Sequence, residues 1–509
     1  MNALLLSHEW LVVLLGVCLL LADLWVLPGN QRKLGYLAAA GIGAILLYSL
    51  LFVSSPGEAQ YAFGNTYVLD GLALFFKRLF LLATLIVLLM SVEFTSRLAA
   101  GVGEFYALLL FALTGMLFAS SVNDFSMLFV SLELITVTFY VLVSFERTRL
   151  PSLEAGVKYL IIGALSTSFT VFGIAFVYGM GRTLNFIDLA AVAGQLGSNK
   201  IFLFGLFLVV VGIGFKLAAF PVQIWAPDVY QGAPSPTAAF LAAGSKAAGF
   251  ILLLRVLFIA VPQLTPQWSK LLMIVSGITI LYGNLCAIPQ RNLKRLLGYS
   301  SIAQAGYILL GIAAASQAGS SAVLYYLSGY LFTILGAFTV LCLVLRQTEG
   351  EDISALAGLN QRSPLLAATL TLAMVSLAGV PPLVGFFGKF LLLKAVLEQG
   401  VSQPGAGYFV LAFITLAGVV ISLYYYFGVV RAIYWSKEAS PTTPIPLSKP
   451  IQVSLYSCIA GMLLLGMFPG ALVNLADRAV RPLGPGSLST VSTSTPSTPK
   501  NIDSSSAAY

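Results

Sequence analysis

Val209-Val-Val-Gly-Ile-Gly-Phe-Lys-Leu-Ala-Ala-Phe-Pro221 places one lysine, Lys216, in a run of apolar and small residues and sets a proline five positions beyond it. An ionised side chain at the centre of a bilayer costs about 2.5 to 3.5 kcal/mol on insertion scales, so a lysine there needs a reason. Proline removes a backbone hydrogen bond and interrupts a helix. Together these features describe a membrane-crossing helix that breaks beside a buried cation. A second stretch, Gly379-Val-Pro-Pro-Leu-Val-Gly-Phe-Phe-Gly-Lys389, has the same parts in another order. Interrupted helices in matching positions of two halves of a chain point to a transport pathway.

The rest of the chain agrees with a membrane setting. Its 509 residues are 59% hydrophobic and only 9% charged, against about a quarter charged in soluble domains. Apolar stretches long enough to cross roughly 30 Å of hydrocarbon as helices recur from end to end. They lie at 10–27, 34–53, 71–91, 104–120, 125–145, 157–179, 201–220 and 237–261, then at 271–289, 296–315, 321–346, 366–397, 408–435 and 451–473. The expected fold is therefore an all-α polytopic membrane protein of about 14 transmembrane helices. The first stretch, Trp10 to Leu27, lacks a basic n-region and a small-residue cleavage site, so it is expected to be a retained span and not a signal peptide. Ser, Thr and Pro dominate from Pro482 to Tyr509, a composition expected to be disordered.

Net charge is +8, but the bases sit in short loops beside apolar spans, which argues against nucleic acid and for the positive-inside rule. One set of alternate loops holds Arg32, Lys33, Arg97, Arg147, Arg149, Arg291, Lys294, Arg295, Arg346, Arg362, Arg431, Lys437 and Lys449; the other holds only Arg182, Lys200 and Lys270. That bias places both termini on the non-cytoplasmic side. Cys18, Cys286, Cys342 and Cys458 are scattered singly, without metal or redox spacing, and read as packing residues. His8, the only histidine, reads as a terminal position and not as a ligand. No metal site is expected. Gly41-Ile-Gly43 and Gly212-Ile-Gly214 lack the third glycine and the strand of a dinucleotide site, and no Walker A pattern occurs.

Spans 4 to 8 and 9 to 13 form two groups of five, each with its fourth helix, span 7 or span 12, interrupted. An odd number of spans per group makes the second enter from the opposite side, giving two inverted five-helix repeats. The expected division is a three-span segment at 1–103, the repeats at 104–261 and 262–436, a last span within 437–481 and a tail at 482–509.

Five ionisable residues stand out along these spans. Glu133 ends Asn123-Asp-Phe-Ser-Met-Leu-Phe-Val-Ser-Leu-Glu133, near the middle of span 5. Lys216 and Lys246, the latter in Ala242-Ala-Gly-Ser-Lys246, are flanked by small residues that permit close helix approach or water entry. Lys389 follows Gly388, and Lys158 opens span 6 in Glu154-Ala-Gly-Val-Lys-Tyr159. Burial disfavours a charged lysine and a nearby carboxylate favours it, so a moving partner could make such a lysine take up and release protons. The competing reading is a static ion pair that fixes helix packing, or, for Lys158, a snorkelling side chain. Lys77, Arg78, Arg255 and Lys394 read as snorkelling or lipid-facing. Arg255 lies nine residues beyond Lys246, roughly 13 Å along the helix and on about the opposite face.

Glu154-Ala-Gly-Val-Lys-Tyr, Phe215-Lys-Leu-Ala-Ala-Phe-Pro, Trp225-Ala-Pro-Asp-Val-Tyr-Gln-Gly-Ala-Pro, Arg295-Leu-Leu-Gly-Tyr-Ser-Ser-Ile-Ala-Gln and the Gly379–Lys389 stretch together resemble the antiporter-like membrane subunits of respiratory complex I, the proton-translocating NADH:quinone oxidoreductase. The match covers most of the chain. It is nearest the N type, since the L type carries a long lateral helix after its spans and the M type usually has Glu where this chain has Lys389. The resemblance implies that Glu133 and Lys216 form a coupled pair, that Lys246 passes the proton on, that Lys389 sits in the outer half-channel and that Lys158 lies near the pair. It also implies a non-redox subunit of a translocase in a bacterial-type inner membrane, among other membrane subunits, with no cofactor in this chain and NADH, FMN, iron–sulfur clusters and quinone in partner subunits. Multisubunit cation/proton antiporters and membrane-bound hydrogenases use similar subunits. Relatives often have histidine in the broken part of span 7 and in span 10, where this chain has Gln223 and Gln304; glutamine does not titrate, which leaves water and lysine as the carriers there.

Overall fold

In the computed structural model the described residues are 3–26, 30–96, 98, 101–345, 350–405, 407–435 and 443–483. Arg97, Arg346, Lys437 and the expected disordered segment from 484 onward lie outside them. Among the described residues the chain is helical apart from loops and one short hairpin, Gln60–Ala62 paired antiparallel with Tyr67–Leu69. Twelve helices are long and apolar enough to cross a membrane. Ser7–Asp23, of 17 residues, and the two pieces of span 12 complete the expected fourteen.

The spans are Ser7–Asp23, Arg32–Leu51 and Gly71–Thr95 in the N-terminal segment. Spans 4 to 6 are Val102–Ser120, Phe125–Val143 and Leu150–Gly181. Span 7 runs Lys200–Leu217 and resumes at Trp225–Gly232, and span 8 runs Ser235–Ala260. In the second group, spans 9 to 11 are Thr265–Ala287, Leu293–Ala313 and Gln317–Val344. Span 12 is split into Pro364–Ala378 and Val384–Ser402, span 13 is Tyr408–Trp435 and span 14 is Lys449–Met467. Span 14 ends earlier than its hydropathy suggests. Pro469 opens a separate amphipathic helix, Pro469–Ala479, as proline readily does at a first helical turn.

In water-poor surroundings every helix end must find partners for its free N–H groups. Side-chain caps do this: Asp70 accepts from Ala73 N at 2.7 Å, Asp124 from Ser126 N at 2.7 Å and Asn292 from Arg295 N at 3.0 Å. Matching packing runs through the two groups. Span 4 packs on 5, 5 on 6 and 6 on 7; span 9 packs on 10, 10 on 11 and 11 on both pieces of 12. Spans 8, 10 and 11 form the middle of the molecule, with 94%, 94% and 89% of their apolar windows buried against 28% for span 6. Span 14 returns across spans 3 and 11 and ties the N-terminal segment to the second group.

Three sequence expectations are corrected here. Arg255 is not lipid-facing: it is fully buried and forks onto Asp70, with Nη2 at 2.9 Å from Oδ1 and Nη1 at 3.2 Å from Oδ2, while Nε donates to Ser120 O. Lys77 is likewise buried, 2.5 Å from Glu9 Oε1 and 2.6 Å from the Tyr67 hydroxyl. His8 is enclosed, with its ring 6.1 Å from that of Tyr48. Being on the far face of span 8 from Lys246 did not mean facing lipid, because that span is enclosed on all sides. Lys394 does face outward, beside Glu398.

Candidate proton-relay site

Both breaks are built from the same physical ingredients. The first piece of span 7 ends at Ala218, which takes a left-handed φ of 54°, and Pro221 follows. The first piece of span 12 ends at Gly379, φ 85°, ahead of Pro381 and Pro382. Each break contains one cis X-Pro bond, Phe220-Pro221 or Pro381-Pro382. A helix C-terminus carries unpaired carbonyls and a partial negative charge, a favourable place for an ammonium group. Lys216 occupies the last turn before the first break. Lys389, carried by the second piece of span 12, reaches back to the first and donates to Leu377 O at 2.6 Å and Ala378 O at 3.4 Å. The pieces are close enough that a Cβ on Gly385 would fall 1.8 Å from Ser376 O.

Lys216, Lys246 and Lys389 are all buried. Lys216 donates to the Tyr159 hydroxyl at 3.3 Å and lies against the Tyr159 and Phe215 rings. Among the described residues it has no carboxylate within ion-pair distance. The half-buried Glu133 on span 5 accepts from Thr167 at 2.7 Å on span 6. Span 8 lies flush against Lys216, since a Cβ on Gly249 would come 3.1 Å from the Lys216 Cβ. One turn back on that span, directly after a π-helical stretch at Leu241–Ser245, stands Lys246. π-turns recur at functional sites.

Lys246 crosses from the first repeat into the second. It donates to Ser301 O at 2.5 Å and to the Ser301 hydroxyl on span 10. The same hydroxyl meets Tyr330 at 2.9 Å and Tyr230 at 3.1 Å. One residue before it, Ser300 pairs with Tyr426 at 2.5 Å, and Tyr426 accepts from Gln304 Nε2 at 3.1 Å. Gln304 also donates to Leu377 O at 3.3 Å, the carbonyl that Lys389 uses. Beneath Lys389 the Tyr307 ring lies at 4.6 Å, and its hydroxyl accepts from Asn284, which in turn accepts from Tyr425 at 2.9 Å. Polar groups thus run from Lys246 toward the second break through the most enclosed helices of the fold, and Lys216 stands across the span 7–span 8 contact from Lys246.

Lys158 is placed apart from this row. Its side chain is 42% exposed and bridges Glu154 at 2.6 Å and Asp228 at 2.9 Å, and Asp228 also holds Arg295. Span 6, the second piece of span 7 and span 10 are clasped together by that cluster. Asp228, Arg295, Ser301, Tyr159 and Tyr426 were not singled out from sequence. Asp228 sits inside the Trp225–Pro234 stretch, and Arg295 and Ser301 inside Arg295–Gln304, so the signal was present but their partners were not. Among the described residues no three His, Cys, Asp or Glu side chains converge as metal ligands would.

Fourteen spans, two interrupted helices and a buried lysine beside each interruption define a membrane protein of the ion-translocating class. Residues 122–422 match the NADH:quinone oxidoreductase/Mrp antiporter transmembrane family, and the chain belongs to it. The NADH-quinone oxidoreductase subunit N of Trichlorobacter lovleyi is 38% identical over 93% of this chain and 96% of its own length. A chain of respiratory complex I from Thermus thermophilus with bound aureothin has a TM-score of 0.77 at 31% identity, covering 92% of this chain and all of that one. A chain of the Mrp complex from Dietzia sp. DQ12-45-1b, 20% identical over 96% of this chain and 99% of its own, shares the fold with a TM-score of 0.82.

Proposed function

We propose that this chain is the N-type, proton-translocating membrane subunit of an NADH:quinone oxidoreductase. The observation that carries the chemistry is the row of three buried lysines between the two helix breaks, Lys216 across the span 7–span 8 contact from Lys246, and Lys246 and Lys389 joined to hydroxyls and main-chain carbonyls of the second group. Keeping three lysines inside apolar helices is costly, and a translocation path accounts for all three. Glu133, held by Thr167 on span 6, balances charge at the entry to the file as the partner of Lys216. Lys246 hands a proton across the repeat boundary by way of Ser301. Lys389 exchanges it with the far side, its ammonium held meanwhile by the Leu377 and Ala378 carbonyls. Lys158, outside the file, sets the position of Asp228 and so of the resumed part of span 7.

In this reading the chain performs no redox step. NADH, FMN, iron–sulfur clusters and quinone belong to partner subunits, and neighbouring membrane subunits cover exposed flanks such as Val130 and Val137 on the helix that carries Glu133. The chain sits in a bacterial-type inner membrane with both termini on the non-cytoplasmic side, supported by the loop charge bias and the even number of crossings. The units proposed are 1–103, 104–261, 262–436 and 437–481. The test is purification from native membranes: the chain copurifies with flavin, iron–sulfur clusters and NADH:quinone activity. Purification within a complex that lacks them and exchanges cations for protons would replace this reading with the antiporter one.

A further inference from the structure

Spans 2, 3, 11 and 14 and the Pro469–Ala479 helix line a lateral crevice of about 450 Å³ that plays no part in the lysine file. Its walls are apolar, with Leu46, Leu74, Phe332 and Leu472 among them, and Leu50 and Leu475 at its edge are 54% and 49% exposed. Two arginines break that apolar lining. Arg78 is held in place by Ser49 and Val53, its Nη2 donating to both carbonyls at 2.6 Å and its Nε to the Ser49 hydroxyl at 3.3 Å. Arg478 is exposed on the amphipathic helix. Among the described residues neither arginine has a carboxylate within ion-pair distance, unlike Lys77 and Arg255 nearby, which do.

Span 2 ends, span 3 begins and span 14 ends on one face of the membrane, so the two guanidinium groups stand at the same interface. An amphipathic helix with an apolar inner side and a charged rim is suited to lying in that plane. Arginines without a carboxylate partner over an acyl-lined slot suit an anion with an apolar body: Arg478 can fork onto phosphate oxygens, while Arg78, whose Nε and Nη2 are engaged, offers Nη1. We propose that this crevice binds an anionic glycerophospholipid, its phosphate between Arg78 and Arg478 and part of one acyl chain along Leu50, Leu74 and Leu472. The lipid would then wedge the N-terminal segment against the C-terminal helix.

The test uses the intact complex reconstituted in nanodiscs containing phosphatidylglycerol or phosphatidylcholine, each with the same diazirine-bearing acyl chain. After illumination, adducts are mapped by peptide mass spectrometry. The expected result is labelling of segments 46–50 and 472–475 that is about fivefold stronger with phosphatidylglycerol. Arg478→Gln should reduce phosphatidylglycerol labelling to the phosphatidylcholine level, and Arg478→Lys should keep most of the preference. Equal labelling by both lipids, an unchanged preference in Arg478→Gln, or a crevice free of adducts because a neighbouring subunit fills it would each overturn the proposal.

Discussion

Lys216, Lys246 and Lys389 were legible in the sequence because a cation in an apolar run has a cost that no other feature of the run repays. Their partners were not. Lys389 uses two main-chain carbonyls, groups every residue carries, and Lys246 uses Ser301, 55 positions away. Lys389→Leu removes the donor to Ala378 O and leaves Leu377 O only the longer bond from Gln304, whereas Lys389→Glu, protonated, still donates one hydrogen bond. Proton translocation in membrane vesicles is therefore expected to survive better in the glutamate variant than in the leucine variant, and equal loss in both would count against a titrating role. Arg255 and Lys77 were misread for the same reason, since Asp70 and Glu9 lie 185 and 68 positions from them. Breaking a buried ion pair strands one charge, at about 3 to 5 kcal/mol, while replacing both partners with apolar groups costs less. Arg255→Met should thus sharply reduce the assembled complex seen on native gels, and adding Asp70→Leu should restore part of it.

Elements were the most legible level. Apolar runs of spanning length, with proline and small residues at the breaks, place the fourteen spans to within about seven residues at their ends, since in a membrane the backbone has no choice but to pair within helices. Departures occur where tertiary packing decides: the π-helical stretches at Leu241–Ser245 and Val256–Ala260, and the amphipathic helix that cuts span 14 short. Gly385 lets the second piece of span 12 lie against Ser376. Gly385→Ala forces a methyl into that carbonyl, and overpacking of this kind costs about 1 to 3 kcal/mol. The thermal midpoint of the purified complex should fall, and translocation should fall further than midpoint alone explains, because Ser376 and Leu377 lead directly to the Lys389 carbonyls. A variant with a normal midpoint and normal translocation would show that the approach is unimportant.

At the scale of the whole molecule, two clasps join the repeats on one face: Asp228 between Lys158 and Arg295, and Glu351 between Lys294, 3.0 Å away, and Arg149. Burial by itself would raise the Glu351 carboxyl, but Lys294, Asn292 and Arg149 outweigh it and hold it below the usual glutamate range. A depressed carboxyl contributes stability that is present above its unfolded pKa and lost as pH falls through the folded one. Acidification should therefore lower the thermal midpoint, and Glu351→Gln should weaken that acid dependence. In the proposed translocation the two repeats share one proton file, joined where Lys246 meets Ser301. The most direct test is Lys246→Met in assembled complex, measuring NADH-driven proton translocation per electron in inverted membrane vesicles. A lower proton yield at retained NADH:quinone electron transfer is the expected result; an unchanged yield per electron would contradict the account.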